Sequence, residues 1–183
     1  MRWEEYKSPN FDDRPNDEPP NLVVVHGISL PPGEYGGSAI ADLFGNCLDA
    51  GAHPYFKEIA HLRVSAHFLI RRDGTVLNFV HPAKRAWHAG VSTWRGRECC
   101  NDYSIGIELE GCDWEAYEPA QYERLGDLIQ DLCGEYPIQA VVGHSDIAPG
   151  RKTDPGPYFR WSELQRILKH LGNVAIGPEG AAR

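Results

Sequence analysis

The clearest hydrophobic pattern is Leu22-Val23-Val24-Val25, an apolar run with no polar break that ends at His26. Such a run predicts a strand buried on both faces. Residues 103–110 alternate instead, with Ile105, Ile107 and Leu109 on one face and Ser104, Gly106, Glu108 and Glu110 on the other. Residues 66–71 and 75–80 flank Asp73-Gly74, a hairpin signal, and residues 139–143 form a further strand running into His144. Helical spacing falls in three places. Ser38 caps a short helix with Ile40, Leu43 and Phe44 inward; a long helix near Pro119 buries Tyr122, Leu125, Ile129, Leu132, Cys133 and Tyr136; a last one buries Leu164, Ile167, Leu168 and Leu171. Residues 1–20 read as an irregular lead-in, and the small or polar residues 172–183 as a frayed tail. This order of elements predicts a single α/β domain over residues 1–171, with a central mixed β-sheet flanked by helices.

Composition narrows the function classes. At 183 residues, 42% hydrophobic and 24% charged, the chain is an ordinary one-domain globular protein. No apolar run reaches the length of a membrane span, and the start Met1-Arg2-Trp3-Glu4-Glu5-Tyr6 has no secretory h-region. The five cysteines are odd in number, two are adjacent (Cys99-Cys100), and none falls in a C-x-x-C spacing. A reducing, cytoplasmic setting is therefore expected. The net charge of −8 argues against nucleic acid, which needs a basic footprint. A partner bearing carboxylates would have to be met by local cations, and Arg63, Arg71, Arg72, Lys84, Arg85, Arg95 and Arg97 cluster in the middle third. The plain alternative is a solvated charged surface.

Candidate chemistry sits at strand ends. His26 and His144 each follow a buried strand, where sites in α/β sheets gather. His144 opens a loop punctuated by Pro149, Gly150, Pro155, Gly156 and Pro157 that also carries Lys152 and Asp154. Proline and glycine make such a loop stiff without secondary structure. Two histidines and Asp154 would leave a metal an open fourth position; a charged surface turn remains the other reading. One of Glu108 and Glu110 suits a general base and the other a solvated strand edge, a choice that periodicity leaves open. Lys152 would oppose a developing oxyanion if the loop turns it inward. Trp87-His88-Ala89-Gly90 offers a wall and a polar tip for a substrate groove, or a packed tryptophan beside a hydrogen-bonded histidine. His67 and His81 lie beside the hairpin, and His53, His61 and His170 look incidental.

The strings V-V-H-G-I-S-L-P-P-G-E-Y-G-G, H-L-R-V-S-A-H-F-L-I-R-R-D-G, R-A-W-H-A-G-V-S, C-N-D-Y-S-I-G-I-E-L-E-G and G-H-S-D-I-A-P-G-R-K-T-D-P-G-P occur in order from about Pro9 to about Leu171. In sequence and spacing they resemble the zinc N-acetylmuramoyl-L-alanine amidases, a family that includes phage lysozyme-type amidases and peptidoglycan recognition proteins. The resemblance implies that fold, with His26, His144 and Asp154 as zinc ligands, Glu108 as catalytic base and Lys152 polarising the scissile carbonyl. It implies Arg63 and Trp87 as cleft residues. The implied reaction cuts the amide between the lactyl group of 1,6-anhydro-N-acetylmuramic acid and L-alanine, in a cytoplasmic monomer of peptidoglycan recycling with an influence on β-lactamase induction. No nucleic acid or membrane partner is implied.

Two positions depart from the family. Gly27 stands where asparagine commonly follows the first ligand, and Cys99 where an arginine is expected to meet a diaminopimelate carboxylate. Losing a charge-assisted contact of that kind costs roughly 1.5–3 kcal/mol, about ten- to a hundredfold in binding. The competing readings are a muropeptide-binding module without catalysis and a structural zinc; the latter usually has four protein ligands.

Overall fold

The computed structural model describes residues 4–178. Among them the main sheet has seven strands, in the order Glu4–Glu5, Val76–Asn78, Phe68–Ile70, Ser104–Glu110, Leu22–Ile28, Ala140–Gly143, Ala175–Ile176. All neighbours pair in parallel except the hairpin Phe68–Ile70 with Val76–Asn78. The three apolar strands predicted from the sequence are adjacent at the centre, where β-branched side chains are covered on both faces. The hairpin forms at Asp73-Gly74, and Gly74 takes a positive φ of 84° with its amide bonded to Arg71 O.

Helices cover both faces. Helix Pro119–Glu135 packs Tyr122, Leu125, Ile129 and Leu132 with Leu164 and Leu168 of helix Trp161–Ile167 and its flank onto Val23, Val25, Ile105 and Ile107. On the other face, helices Ala39–Phe44 and Pro54–Ile59 bring Ile40, Leu43, Phe44 and Phe56 against Leu69 and Leu77. The remainder of that face is closed by Ala89, Cys100 and Tyr103 over Leu22, Val24 and Val142. Ser38 precedes the first of these helices but gives its hydroxyl to Asp42 Oδ2 at 2.6 Å rather than to a backbone amide. His53 caps the second, accepting from Tyr55 N at 3.1 Å, so it has a structural task that its sequence context did not announce.

Both ends of the chain differ from expectation. The tail does not fray from Gly172: Ala175–Ile176 adds a parallel strand beside Ala140–Gly143, and Gly177 N bonds Val141 O at 2.9 Å. Two-residue strands have no readable periodicity; this one is recruited by an open sheet edge. Residues 179–183 lie outside the described residues. The lead-in is likewise built in. Glu4–Glu5 joins the sheet, Phe11–Asp12 pairs with Arg85–Ala86, and Ser8, Asn10 and Arg14 are buried. Asn10 Nδ2 donates to Val64 O and Phe44 O at 2.8 and 3.2 Å.

Arg14 is the strongest of these anchors. Its guanidinium donates to the carbonyls of Pro82, Asn101, Asp102 and Ser104 at 2.8–3.3 Å and lies beside His67. His67 accepts Gly106 N on Nδ1 and donates from Nε2 to Lys84 O, both at 3.0 Å. Burial, reinforced by the Arg14 charge, pushes its pKa down to about 3, which keeps the ring neutral. Replacing Arg14 with Met leaves four carbonyls without their donor. We expect a loss of about 3 kcal/mol or more in urea unfolding, since hydrogen bonds to charged groups contribute ~1.5–3 kcal/mol each and abandoned partners add to the cost. A loss under about 1 kcal/mol would show that water replaces the guanidinium.

Candidate metal centre

Strand register sets out the site before any loop is considered. Val25 pairs with Gly143 on one side, and His26 pairs with Glu108 on the other. His144, the next residue after Gly143, therefore stands beside His26, and the row Glu108–His26–His144 crosses three adjacent parallel strands at their carboxyl ends. His144 opens the single turn His144–Ile147, after which the chain folds back so that Ser145 N bonds Asp154 O at 2.9 Å. Tyr117 fixes the next residue, its hydroxyl donating to Pro155 O at 2.8 Å.

These constraints bring three ligand atoms together. His26 Nδ1 lies 2.9 Å from His144 Nδ1, and Asp154 Oδ2 lies 3.1 Å from each. Among the described residues this is the group of His, Cys and acidic side chains whose ligand atoms converge within 4.8 Å. Atoms each held about 2.0–2.2 Å from a tetrahedral metal stand roughly 3.3 Å apart, close to the spacing seen. Two imidazole lone pairs at this distance repel, and a cation between them and the carboxylate removes the repulsion. The donor set fits a divalent metal.

The outer nitrogens are also engaged. His144 Nε2 donates to Ala89 O at 3.1 Å, and His26 Nε2 meets His88 Nδ1 at 2.9 Å. Burial brings the His26 pKa down to about 4, with His144 and Lys152 adding to the fall and Asp154 opposing it. Burial alone would raise Asp154, but its close contacts with His144 and His26 hold its carboxyl well below the ordinary carboxylate range.

The two glutamates separate cleanly. Glu110 accepts Gly36 N at 2.9 Å and Arg72 N at 3.1 Å, so its carboxylate is a structural anchor. Glu108 Oε2 has no hydrogen-bond partner among the described residues. Burial first, then the charge of Asp154, raises the Glu108 pKa well above the usual value, with Lys152 acting the other way. Both Glu108 and Lys152 face a cleft of about 370 Å³ beside the three converging groups, with Leu30, Phe44 and Tyr55 as its apolar wall and Trp114 at its rim. The loop 27–37 is tied down over it by Ser29 Oγ to Gly33 N, by Glu110 to Gly36 N and by Arg71 to Gly37 O.

The remaining sequence candidates divide. Arg63 and Trp87 line an adjoining hollow of about 230 Å³ with Arg151 and Lys152. His88 lines both the cleft and this hollow, and its Nδ1 meets His26 Nε2. Gly27 faces the cleft, but a Cβ there would stand 2.3 Å from the Tyr117 hydroxyl, so the space of the expected amide is already filled. Cys99 lines neither hollow; it is exposed, in a left-handed conformation (φ 58°, ψ 57°) at the start of the turn Cys100–Asp102. Reasoning from sequence missed Tyr117 as the brace of the ligand loop. It also missed Asn101, whose Oδ1 accepts from His88 N and Ala89 N at 3.1 and 2.8 Å. Asn101 at least lies inside a recognisable motif; nothing local marks Tyr117.

Comparison with known proteins identifies the family. The profile of the family described as N-acetylmuramoyl-L-alanine amidase matches residues 16–157. The 1,6-anhydro-N-acetylmuramyl-L-alanine amidase AmpD of Enterobacter cloacae is 60% identical over 163 residues, covering 88% of this chain and 87% of the relative. The crystal structure of a selenomethionine derivative of AmpD superposes with a TM-score of 0.89 at 56% identity, covering 91% of this chain and 94% of that one. AmiD from Escherichia coli, solved with the substrate anhydro-N-acetylmuramic acid-L-Ala-D-γ-Glu-L-Lys, gives a TM-score of 0.60 at 28% identity over 86% of this chain and 65% of that one. On the extent of the profile match and the identity across most of its length, the chain belongs to the N-acetylmuramoyl-L-alanine amidase family.

Proposed function

We propose that this amidase uses zinc, held by His26, His144 and Asp154, to cut the amide between the lactyl group of 1,6-anhydro-N-acetylmuramic acid and L-alanine. The observation that carries the reading is the pairing of a converged His-His-Asp set with a buried, unpartnered Glu108 oxygen facing the same cleft. Two nitrogens and one oxygen are a donor set that suits zinc, and a cation held there would supply Lewis acidity to the scissile carbonyl and to an attacking water.

The chain's own groups move the protons. Glu108 Oε2, free of hydrogen bonds, takes a proton from the water as its oxygen bonds to the carbonyl carbon. Lys152, on the same cleft, offsets the negative charge that gathers on the carbonyl oxygen. When the C–N bond breaks, Glu108 returns its proton to the departing L-alanine nitrogen, leaving a lactyl carboxylate and a free amine. A raised pKa suits this role, because a base must hold the proton long enough to hand it on. The hollow lined by Arg63, Trp87 and Arg151 supplies cations for carboxylates of the stem peptide. Similarity to AmpD supports the anhydro sugar as substrate and peptidoglycan recycling as setting. Free cysteines throughout the described chain fit a reducing cytoplasm, and no described helix is long and apolar enough to cross a membrane. We read the enzyme as a monomer.

Three outcomes test this reading. Purified protein should carry one equivalent of zinc by metal analysis, and Glu108→Ala should keep it while kcat on anhydromuramyl-tripeptide falls at least ~10³-fold. Normal turnover by that variant sinks the assignment, and tight muropeptide binding with neither zinc nor product would favour a binding module instead. Lys152→Met should lower kcat by about 10²–10³, the usual loss of one oxyanion donor, with a smaller change in KM. An effect confined to KM would make Lys152 a substrate anchor.

The third outcome concerns stability in chelated protein. The folded pKa of Glu108 lies above its unfolded value, so the folded state holds the proton longer, and stability falls as pH rises through that window. Glu108→Gln should therefore be the more stable protein at neutral pH, by about 1–3 kcal/mol in urea, the cost of an unmet buried polar group. The difference should vanish below the unfolded carboxylate range near pH ~4. Equal stability at neutral pH would show that Glu108 is solvated in the folded protein.

A further inference from the structure

His26 can offer its Nδ1 lone pair to a metal only if its proton sits on Nε2. A neutral imidazole carries one proton, and the partner of the other nitrogen decides which side it occupies. That partner is His88 Nδ1, 2.9 Å from His26 Nε2. His88 Nε2 in turn lies 3.1 Å from Ser104 Oγ, and the Ser104 hydroxyl donates to Cys100 O at 2.6 Å.

The direction of this chain is forced from its far end. Cys100 O can only accept, so the single Ser104 proton points there. Ser104 Oγ is then the acceptor for His88 Nε2–H, which leaves His88 Nδ1 bare. A bare Nδ1 accepts His26 Nε2–H, and His26 Nδ1 is free for the metal. The surrounding backbone is built to hold the relay. Gly106 has no side chain where His88 passes, and a Cβ there would stand 2.4 Å from the ring. Asn101 Oδ1 takes the amides of His88 and Ala89, and Arg151 donates to Ala89 O at 2.8 Å and Val91 O at 2.6 Å. Because Ala89 O also receives His144 Nε2–H, two consecutive residues orient both ligand histidines.

We propose that His88, directed by Ser104, is a positioning residue that fixes His26 as the Nε2–H tautomer and thereby sets the affinity of the metal centre. The proposal rests on His26 and His144 being metal ligands through Nδ1. Outer partners of metal-bound histidines typically contribute 10- to 100-fold in metal affinity.

The test is zinc affinity by chelator competition, together with the imidazole ¹H–¹⁵N spectrum of the zinc-loaded enzyme. The wild type should show a protected His26 Nε2–H. His88→Ala should lose that signal and bind zinc about 10- to 100-fold more weakly. His88→Asn should recover most of the affinity, because Oδ1 replaces Nδ1 as acceptor. An affinity within twofold of wild type in His88→Ala, or a His26 bound to zinc through Nε2, would overturn the proposal. If His88→Ala does not fold, Ser104→Ala interrogates the same chain from its other end: a several-fold loss supports the relay and an unchanged affinity overturns it. A wild type that binds no zinc would instead remove the metal-centre reading itself, so the two failures are distinguishable.

Discussion

The parallel pairing of Leu22–Ile28 with Ser104–Glu110 on one side and Ala140–Gly143 on the other is the constraint from which the rest follows. A strand's side chains alternate with period two, so a slip of one residue would send every side chain on the shifted strand to the opposite face. The register is held by apolar burial: Val23, Val25, Ile105, Ile107 and Val141 lie under the long helix, while Leu22, Val24 and Val142 fill the other face. His26, Glu108 and His144 are the residues left when that apolar pattern reaches the carboxyl ends of the strands. The core thus aligns the proposed site, to which the loops add Asp154 and Lys152.

The same sheet gives two glutamates on one face opposite roles. Glu110, two residues along, is met by backbone amides of Gly36 and Arg72 and so ties the loop 27–37 to the strand. Glu108 has the apolar surroundings without the donors, which raises its pKa and leaves an oxygen facing the cleft. An unmet carboxylate is costly to a fold. It persists where neighbouring packing over-determines it, here a central strand with Leu69 paired to one side and His26 to the other.

What could be read in the sequence was whatever chain neighbours decide. The buried run ending at His26, the alternation from Ile105 to Leu109, the Asp73-Gly74 turn and the helical spacing from Tyr122 to Leu132 all describe local patterns, and all appear in the fold. The choice between Glu108 and Glu110 depends on Gly36 and Arg72, remote in sequence, so periodicity could not make it. The inward turn of His88, the carbonyl cage around Arg14 and the strand Ala175–Ile176 have the same character. Each is a short segment given its place by a surface that some other part of the chain creates.

Gly27 shows how such distant contacts recast a local difference. Read alone, glycine after the first ligand is the loss of an amide that could touch substrate. In the folded protein the Tyr117 hydroxyl occupies the position a side chain would take, and that hydroxyl holds Pro155 O beside Asp154. A side chain at residue 27 would have to displace Tyr117 and, with it, the brace on the ligand loop. Gly27 is therefore less a missing contact than one half of a packed pair. On the proposed reading, the freedom to vary substrate recognition lies instead in the hollow of Arg63, Trp87 and Arg151, which meets the proposed reacting groups at His144 and Lys152.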